Sequence, residues 1–215
     1  MLDAFYKTHD YLVEHVQVPA RRVLMDEINW NDRLIAIKGG RGVGKTDFLL
    51  NYLKEQRRIN PDASKRTLYV NFNDFYFTEH SLLEFVGQFV AAGGKTLIID
   101  QAFKYPNWSK EISQCFYRYP SLQIIFVASS VMRLIEDNHD IGNIVHSYNL
   151  RGFSFREYLN VTLGLKLPVY SLEDILKHHV EIAQKICQYV KPLQYFDSYL
   201  HHGYYPLFLE PHAFS

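Results

Sequence analysis

The sequence predicts an α/β fold: a parallel sheet flanked by helices on both faces, with a small helical lid-like region at its C-terminal end. Three features of the 215 residues lead to it. Short apolar runs alternate with amphipathic stretches between residues 33 and 150. The first run closes in a glycine-rich turn, and beyond Ser154 the strand signals stop. Strands separated by helical crossovers are parallel and buried on both faces, so they read as near-continuous apolar runs.

The elements follow in order. Residues 3–16 set Phe5, Leu12 and Val16 among charges at helical spacing, and Arg21–Ile28 reads as a second short helix. "RLIAIKGG" (33–40) is a buried strand meeting a tight turn. "KTDFLLNYLKEQRR" places Phe48, Leu49 and Tyr52 on one helical face and ends in Lys54, Arg57 and Arg58, which suit a helix C-terminus. "TLYVNF" (67–72) is a strand. Ser81–Ala92 is a helix, with Ser81 as N-cap and Glu84 completing a capping box. "KTLIID" (95–100), "LQIIFVASS" (122–130) and "IVHSYNL" (144–150) are further strands. Trp108–Tyr119 and Val131–Asn138 are the helices between them. The stretches "SFREYLNVTL", "SLEDILKHHVEIAQKICQYV" and "PLQYFDSYLHHG" are helical, each introduced by Ser or Pro. The expected organisation is an N-terminal helical segment (1–29), a nucleotide-binding domain (30–151) and a helical lid (152–215).

Composition narrows the function classes. Hydrophobic residues make 47% of the chain and aromatics 15%, as in a globular protein. Lys plus Arg number 23 and Asp plus Glu also 23, so there is no overall basic field for nucleic acid, though a local patch is compatible with that balance. Two cysteines, Cys115 and Cys187, lack CxxC spacing, which points away from a disulfide or zinc framework and towards a reducing compartment. The N-terminal stretch carries three acidic residues and no long apolar core, unlike a secretory signal. No stretch approaches the ~18 apolar residues that span a bilayer. A cytoplasmic protein is expected.

"GGRGVGKT" fits G-x-x-x-x-G-K-[ST] through Gly39, Gly40, Arg41, Gly42, Val43, Gly44, Lys45 and Thr46. The spacing has a mechanical reason. Glycines let the backbone wrap closely enough for its N–H groups to face a β-phosphate, and the helix starting at Lys45 aims its positive end at the same place. Lys45 would reach the β- and γ-phosphates, and the Thr46 hydroxyl would ligate Mg²⁺. The match lies between an expected strand and an amphipathic helix, the context the motif needs. Given such a loop, an apolar strand ending in Asp100 looks like a Walker B segment that holds the Mg²⁺.

Four segments, "IKGGRGVGKTDFLLNYL", "LIIDQAFKYPNWSKEI", "IIFVASSVMRLIE" and "LRGFSFREYL", together with the closing "HHGYYPLFLE", resemble a bacterial AAA-type P-loop ATPase family whose AAA domain is usually followed by a C-terminal domain of unknown function. The likeness covers nearly the whole chain. It implies an ASCE/AAA-like P-loop NTPase core with a helical lid, ATP and Mg²⁺ as cofactors, and Ser129 or Ser130 as a polar sensor. Three departures stand out. The family usually reads Asp-Glu where this chain has Asp100-Gln101, so its Walker B is degenerate. It often has His where this chain has Phe103, and arginines before the fifth strand where this chain reads "DIGNIVHSYNL". Members also continue past "GYYP", so a truncated chain is implied.

A glutamate after Asp100 would polarise the attacking water; Gln101 is nearly isosteric but takes no proton. Lys45, Asp100, Gln101 and Ser129 are therefore the expected catalytic set, and Thr46 and Asp100 the metal ligands. Arg133, Arg151 and Arg156 are weaker arginine-finger candidates, each set against a packing role. The expected function is ATP binding with weak or absent hydrolysis. Its rivals are a slow but active ATPase acting as motor or switch on a protein or nucleic-acid partner, and a remnant that binds nothing. A protein partner or homo-oligomer is left open. The pairs His178–His179 and His201–His202 read as surface, because adjacent helical residues point ~100° apart. The cluster Lys54, Arg57, Arg58, Lys65 and Arg66 reads as a solvated helix end more readily than a nucleic-acid patch. Phe72, Phe75, Tyr76 and Phe77 read as core packing under the sheet edge more readily than as a partner surface or a stacking platform for a base.

Overall fold

The computed structural model of the chain describes residues 1–17, 20–129 and 138–206. It divides into two compact units, Met1–Leu150 and Arg151–Ser215. In the first, β1 (Leu34–Gly39), β2 (Thr67–Asn71), β3 (Thr96–Asp100), β4 (Gln123–Ser129) and β5 (His146–Asn149) form one sheet. Its order is β2-β3-β4-β1-β5, and every neighbouring pair is parallel. All five expected strands are present.

Each strand lends alternate residues to opposite faces, as the period-2 geometry of a strand requires. From β1, Leu34 and Ala36 enter one apolar cluster while Ile35 and Ile37 enter the other. Both faces are covered. Phe85 and Phe89 of α6 (Leu82–Ala91) and Ile112 of α7 (Trp108–Arg118) lie on the first; Phe48, Leu49 and Leu53 of α3 (Lys45–Ile59) lie on the second. Each such fully buried side chain contributes about 1.5–3 kcal/mol through loss of apolar surface from water. The capping box expected at Ser81 and Glu84 is formed, with Ser81 accepting from the Glu84 amide.

At the N-terminus, α1 (Leu2–His15) packs beside edge strand β2 and against α3. His9 Nδ1 accepts a hydrogen bond from the Tyr69 N–H at 3.0 Å, giving one edge amide a partner it lacks within the sheet. The basic end of α3 helps dock α1. Lys54 donates to the carbonyls of Glu14 (3.4 Å) and Val16 (3.0 Å), and Arg57 pairs with Asp10.

One expectation is corrected. The helix read over Arg21–Ile28 is only α2 (Leu24–Glu27), because both arginines before it are engaged elsewhere. Arg21 bridges Asp26 and Glu55, while Arg22 reaches the turn after β1. Short helices α4 (Pro61–Ser64) and α5 (Tyr76–Glu79) lie in stretches to which the sequence pattern assigns no element. As a result the aromatic string divides: Phe72 and Phe77 are buried, whereas Phe75 is 72% exposed. The expected helix over Val131–Asn138 falls, but for its last residue, outside the described residues.

The second unit holds α8 (Phe155–Leu163), α9 (Leu172–Cys187), α10 (Leu193–Ser198) and a π-helical turn, Tyr199–Gly203. Ser154 and Ser171 each cap a helix through a capping box. Tyr158, Leu159, Leu167 and Val190 form its small core. The Tyr204 carbonyl accepts from the Phe153 amide at 2.8 Å, so the segment around "YYP" folds back onto the start of this unit. The α9 helix is non-helical at His178 and presents Leu172, Ile175, Leu176 and Val180 to solvent.

Candidate functional site

The ends of β1, β3 and β4 converge on one edge of the sheet, and the turn after β1 closes over it. Gly42 and Gly44 adopt φ of 83° and 85°, left-handed values that a side chain would strain, and Gly44 turns the chain directly into α3. No side chain caps the N-terminus of this 15-residue helix. Its first amides and its positive dipole end therefore face the space under the turn, a site suited to an anion. Gly39 is needed for a different reason: a Cβ there would sit 2.3 Å from the Leu150 carbonyl oxygen, where the chain leaving β5 bonds back to Lys38. A Cβ on Gly40 meets only a Val43 methyl at 3.6 Å. Gly39→Ala is thus expected to destabilise by about 2 kcal/mol through overpacking against backbone, with Gly40→Ala near neutral. Chemical denaturation of the two variants side by side checks this.

Lys45 folds over the turn, its Nζ donating to the carbonyls of Gly39 and Gly40, each at 2.8 Å. Burial holds its ammonium below the ordinary value, partly offset by the nearby Asp100 carboxylate. Beside it the Thr46 hydroxyl donates to Asp100 Oδ2 at 2.6 Å. Asp100, at the end of β3, is 1% exposed. The Tyr69 hydroxyl donates to the same Oδ2 at 2.8 Å, and the Gln101 amide to Oδ1 at 2.7 Å. Burial first, then the carboxylate it serves, raises the Tyr69 phenol far above its ordinary range, so it stays a donor. Gln101 takes left-handed φ of 57° immediately after the strand, one of two non-glycine residues with positive φ among those described. The register sets Ser129, at the end of β4, beside Gly39.

The structure thus brings Lys45, Thr46, Asp100 and Gln101, all expected from the sequence, to one place. Ser130 and Arg133 lie outside the described residues. Arg151 and Arg156 belong to the second unit, where Arg156 donates to the Leu167 carbonyl at 3.2 Å, a packing role. Two neighbours of the site carry no motif in the sequence. Tyr69 sits within a strand run, and its one signal is a tyrosine inside a buried strand, whose hydroxyl needs a partner. Buried Arg22 donates to the Val43 carbonyl at 3.2 Å, supporting the turn from the segment ahead of β1.

The residues present fit a magnesium ion. Asp100 is a buried carboxylate whose hydrogen-bond partners are hydroxyls and an amide, and among the described residues no cation pairs with it within ion-pair distance. Buried charge of that kind is normally paired or bound to metal, and hydroxyl and carboxylate oxygens are the hard donors Mg²⁺ takes. Among the described residues no helix is long and apolar enough to cross a membrane.

The family model for an AAA domain matches residues 31–159, more than half of the chain. Among solved structures, the chain is similar to C. elegans PCH-2, with 19% identity over 78% of this chain and 49% of that one, TM-score 0.42. It is similar to AMPPCP-bound DnaA from Aquifex aeolicus, with 17% identity over 85% and 59%, TM-score 0.42. It is also similar to Aeropyrum pernix ORC1 in complex with DNA, with 14% identity over 61% and 42%, TM-score 0.42. The chain spans about half the length of these structures. A search among curated proteins finds no match.

Proposed function

The chain belongs to the AAA domain family, and we propose that within it this protein binds Mg-ATP at the β1–α3 turn, with hydrolysis made weak or absent by Gln101. The observation that carries the reading is the convergence of Lys45, Thr46 and buried Asp100 beneath an uncapped helix N-terminus. The turn amides and Lys45 hold the phosphates, Lys45 exchanging its two carbonyl partners for phosphate oxygens. Thr46 and Asp100 would hold Mg²⁺, which when bound supplies charge neutralisation to the phosphates. Gln101 orients a water without taking its proton, and Ser129 serves as the polar sensor at the end of β4. Residues 30–151 form the nucleotide-binding domain, with 1–29 a helical segment and 152–215 the lid.

ATP rather than GTP fits the family and the lack of an NKxD-type guanine-reading segment in the sequence. The second reading, a slow ATPase acting as motor or switch, is favoured by the residue type itself, since small GTPases orient water with glutamine. A protein partner or further copies of the chain fit the exposed apolar side chains of α9 better than nucleic acid fits a chain of balanced charge. A cytoplasmic location belongs to the same proposal.

Calorimetric titration of the full chain with Mg-ATP tests binding. Saturable heat is expected from wild type, and Lys45→Ala should weaken the affinity roughly tenfold or more by removing a charge-assisted donor. A folded wild-type sample that gives neither heat nor a thermal shift would show the site to be a remnant.

A further inference from the structure

We propose that Tyr69 is a positioning residue for the metal-binding carboxylate, setting the orientation in which Asp100 meets Mg²⁺; the proposal rests on the Mg-ATP reading above. Asp100 has two oxygens to orient. Oδ1 is held by the amide of the next residue, and Oδ2 receives Thr46 and Tyr69 at 2.6 and 2.8 Å. The Thr46 hydroxyl is itself a group that a metal would engage, so its bond to Asp100 belongs to the part of the site that rearranges on loading. The Tyr69 phenol has no such second duty. Among the described residues it is the one side-chain donor to Asp100 that comes from the sheet rather than from the phosphate-binding helix.

Tyr69 is also well anchored for that task. Its backbone is set by pairing opposite Ile98 in β3, and its N–H is taken by His9 of α1 at 3.0 Å. Its ring is 3% exposed, packed in the cluster on the α3 face of the sheet. A donor fixed at backbone and ring is what an outer partner needs to hold a ligand's rotamer. Among the described residues, removing only the phenolic oxygen leaves Oδ2 with Thr46 alone, so the carboxylate loses its fixed reference when Thr46 turns to the metal.

The test separates metal-dependent from metal-independent binding. A fluorescent N-methylanthraniloyl-ATP is titrated into full-length wild type and Tyr69→Phe, once with saturating Mg²⁺ and once with excess EDTA. The ratio of the two affinities is expected to fall roughly tenfold in Tyr69→Phe, the usual loss for an outer partner of a metal ligand, with the EDTA affinity unchanged. An unchanged ratio overturns the proposal, as does an equal loss under both conditions, which is what a purely structural role would produce. Incorporation of 3-fluorotyrosine at position 69 is the second variant: it keeps ring and hydroxyl and alters only the donor strength of the phenol that Asp100 receives, so a smaller change of the ratio at unchanged EDTA affinity is expected even where Tyr69→Phe folds poorly. Wild type that binds nucleotide equally well with and without Mg²⁺ would overturn the metal role of Asp100, and Tyr69's with it. Wild type that binds under neither condition would overturn the Mg-ATP reading itself.

Discussion

Gln101→Glu is expected to raise steady-state phosphate release at saturating Mg-ATP by ~10²–10⁴-fold, the usual worth of a general base. That range corresponds to about 3–5 kcal/mol of barrier. The substitution changes one group, a carboxamide that cannot accept a proton, into a carboxylate of the same shape that can. It leaves the backbone alone: φ of 57° at this position is as uncomfortable for Glu as for Gln, and the amide bond to Asp100 Oδ1 does not involve the side chain. Thermal stability should therefore barely move, and a rate change can be read as chemistry. Gln101→Gly is the complementary control. It should stabilise the fold by about 1 kcal/mol, because glycine adopts a left-handed backbone freely, while removing whatever water-orienting capacity the amide has. Wild type that already turns over briskly, with no gain from Gln101→Glu, would show that the residue after Asp100 does not limit the reaction.

The readable and unreadable parts of this protein divide along a physical line. Strands such as Leu34–Gly39 and Thr96–Asp100 are buried on both faces, so nearly every residue must be apolar and the run stands out from its neighbours. The turn between Gly39 and Lys45 was legible because phosphate binding constrains local backbone shape, and local shape is written in consecutive residues. The helix beginning after Ser81 was legible for the same reason, its capping box being a contact across three positions. The Tyr69–Asp100 bond is a different kind of fact. The two residues lie 31 positions apart on adjacent strands, and their meeting depends on register, which places Tyr69 opposite Ile98 and leaves its ring free to reach the strand's end. Likewise Phe75 and Phe77 look equivalent in "NFNDFYF", but a single turn of helix between them sends one to solvent and one into the core. Arg22 supports the turn through one carbonyl of Val43, a contact with no local pattern to announce it.

The same strand makes the fold sensitive to acid. His9 is 2% exposed, and its Nδ1 must be unprotonated to accept the Tyr69 amide. Burial, reinforced by the Arg57 guanidinium of α3 and opposed by Asp10 on its own helix, pulls its pKa from 6.5 down to about 4. The folded state thus refuses a proton that the unfolded chain accepts, and stability must rise with pH wherever that difference exists. This contribution is present in full above pH 6.5 and is lost as pH falls towards about 4, where both states become protonated. The total is at most about 3.4 kcal/mol, because each pH decade between 6.5 and about 4 is worth about 1.36 kcal/mol. Urea unfolding between pH 7 and pH 4.5 should show wild type losing about 2–3 kcal/mol more than His9→Gln, which offers the Tyr69 amide an acceptor but does not titrate. Parallel curves for the two proteins would mean that α1 moves off β2 to let the imidazole reach water, and that the edge amide of Tyr69 is satisfied without it.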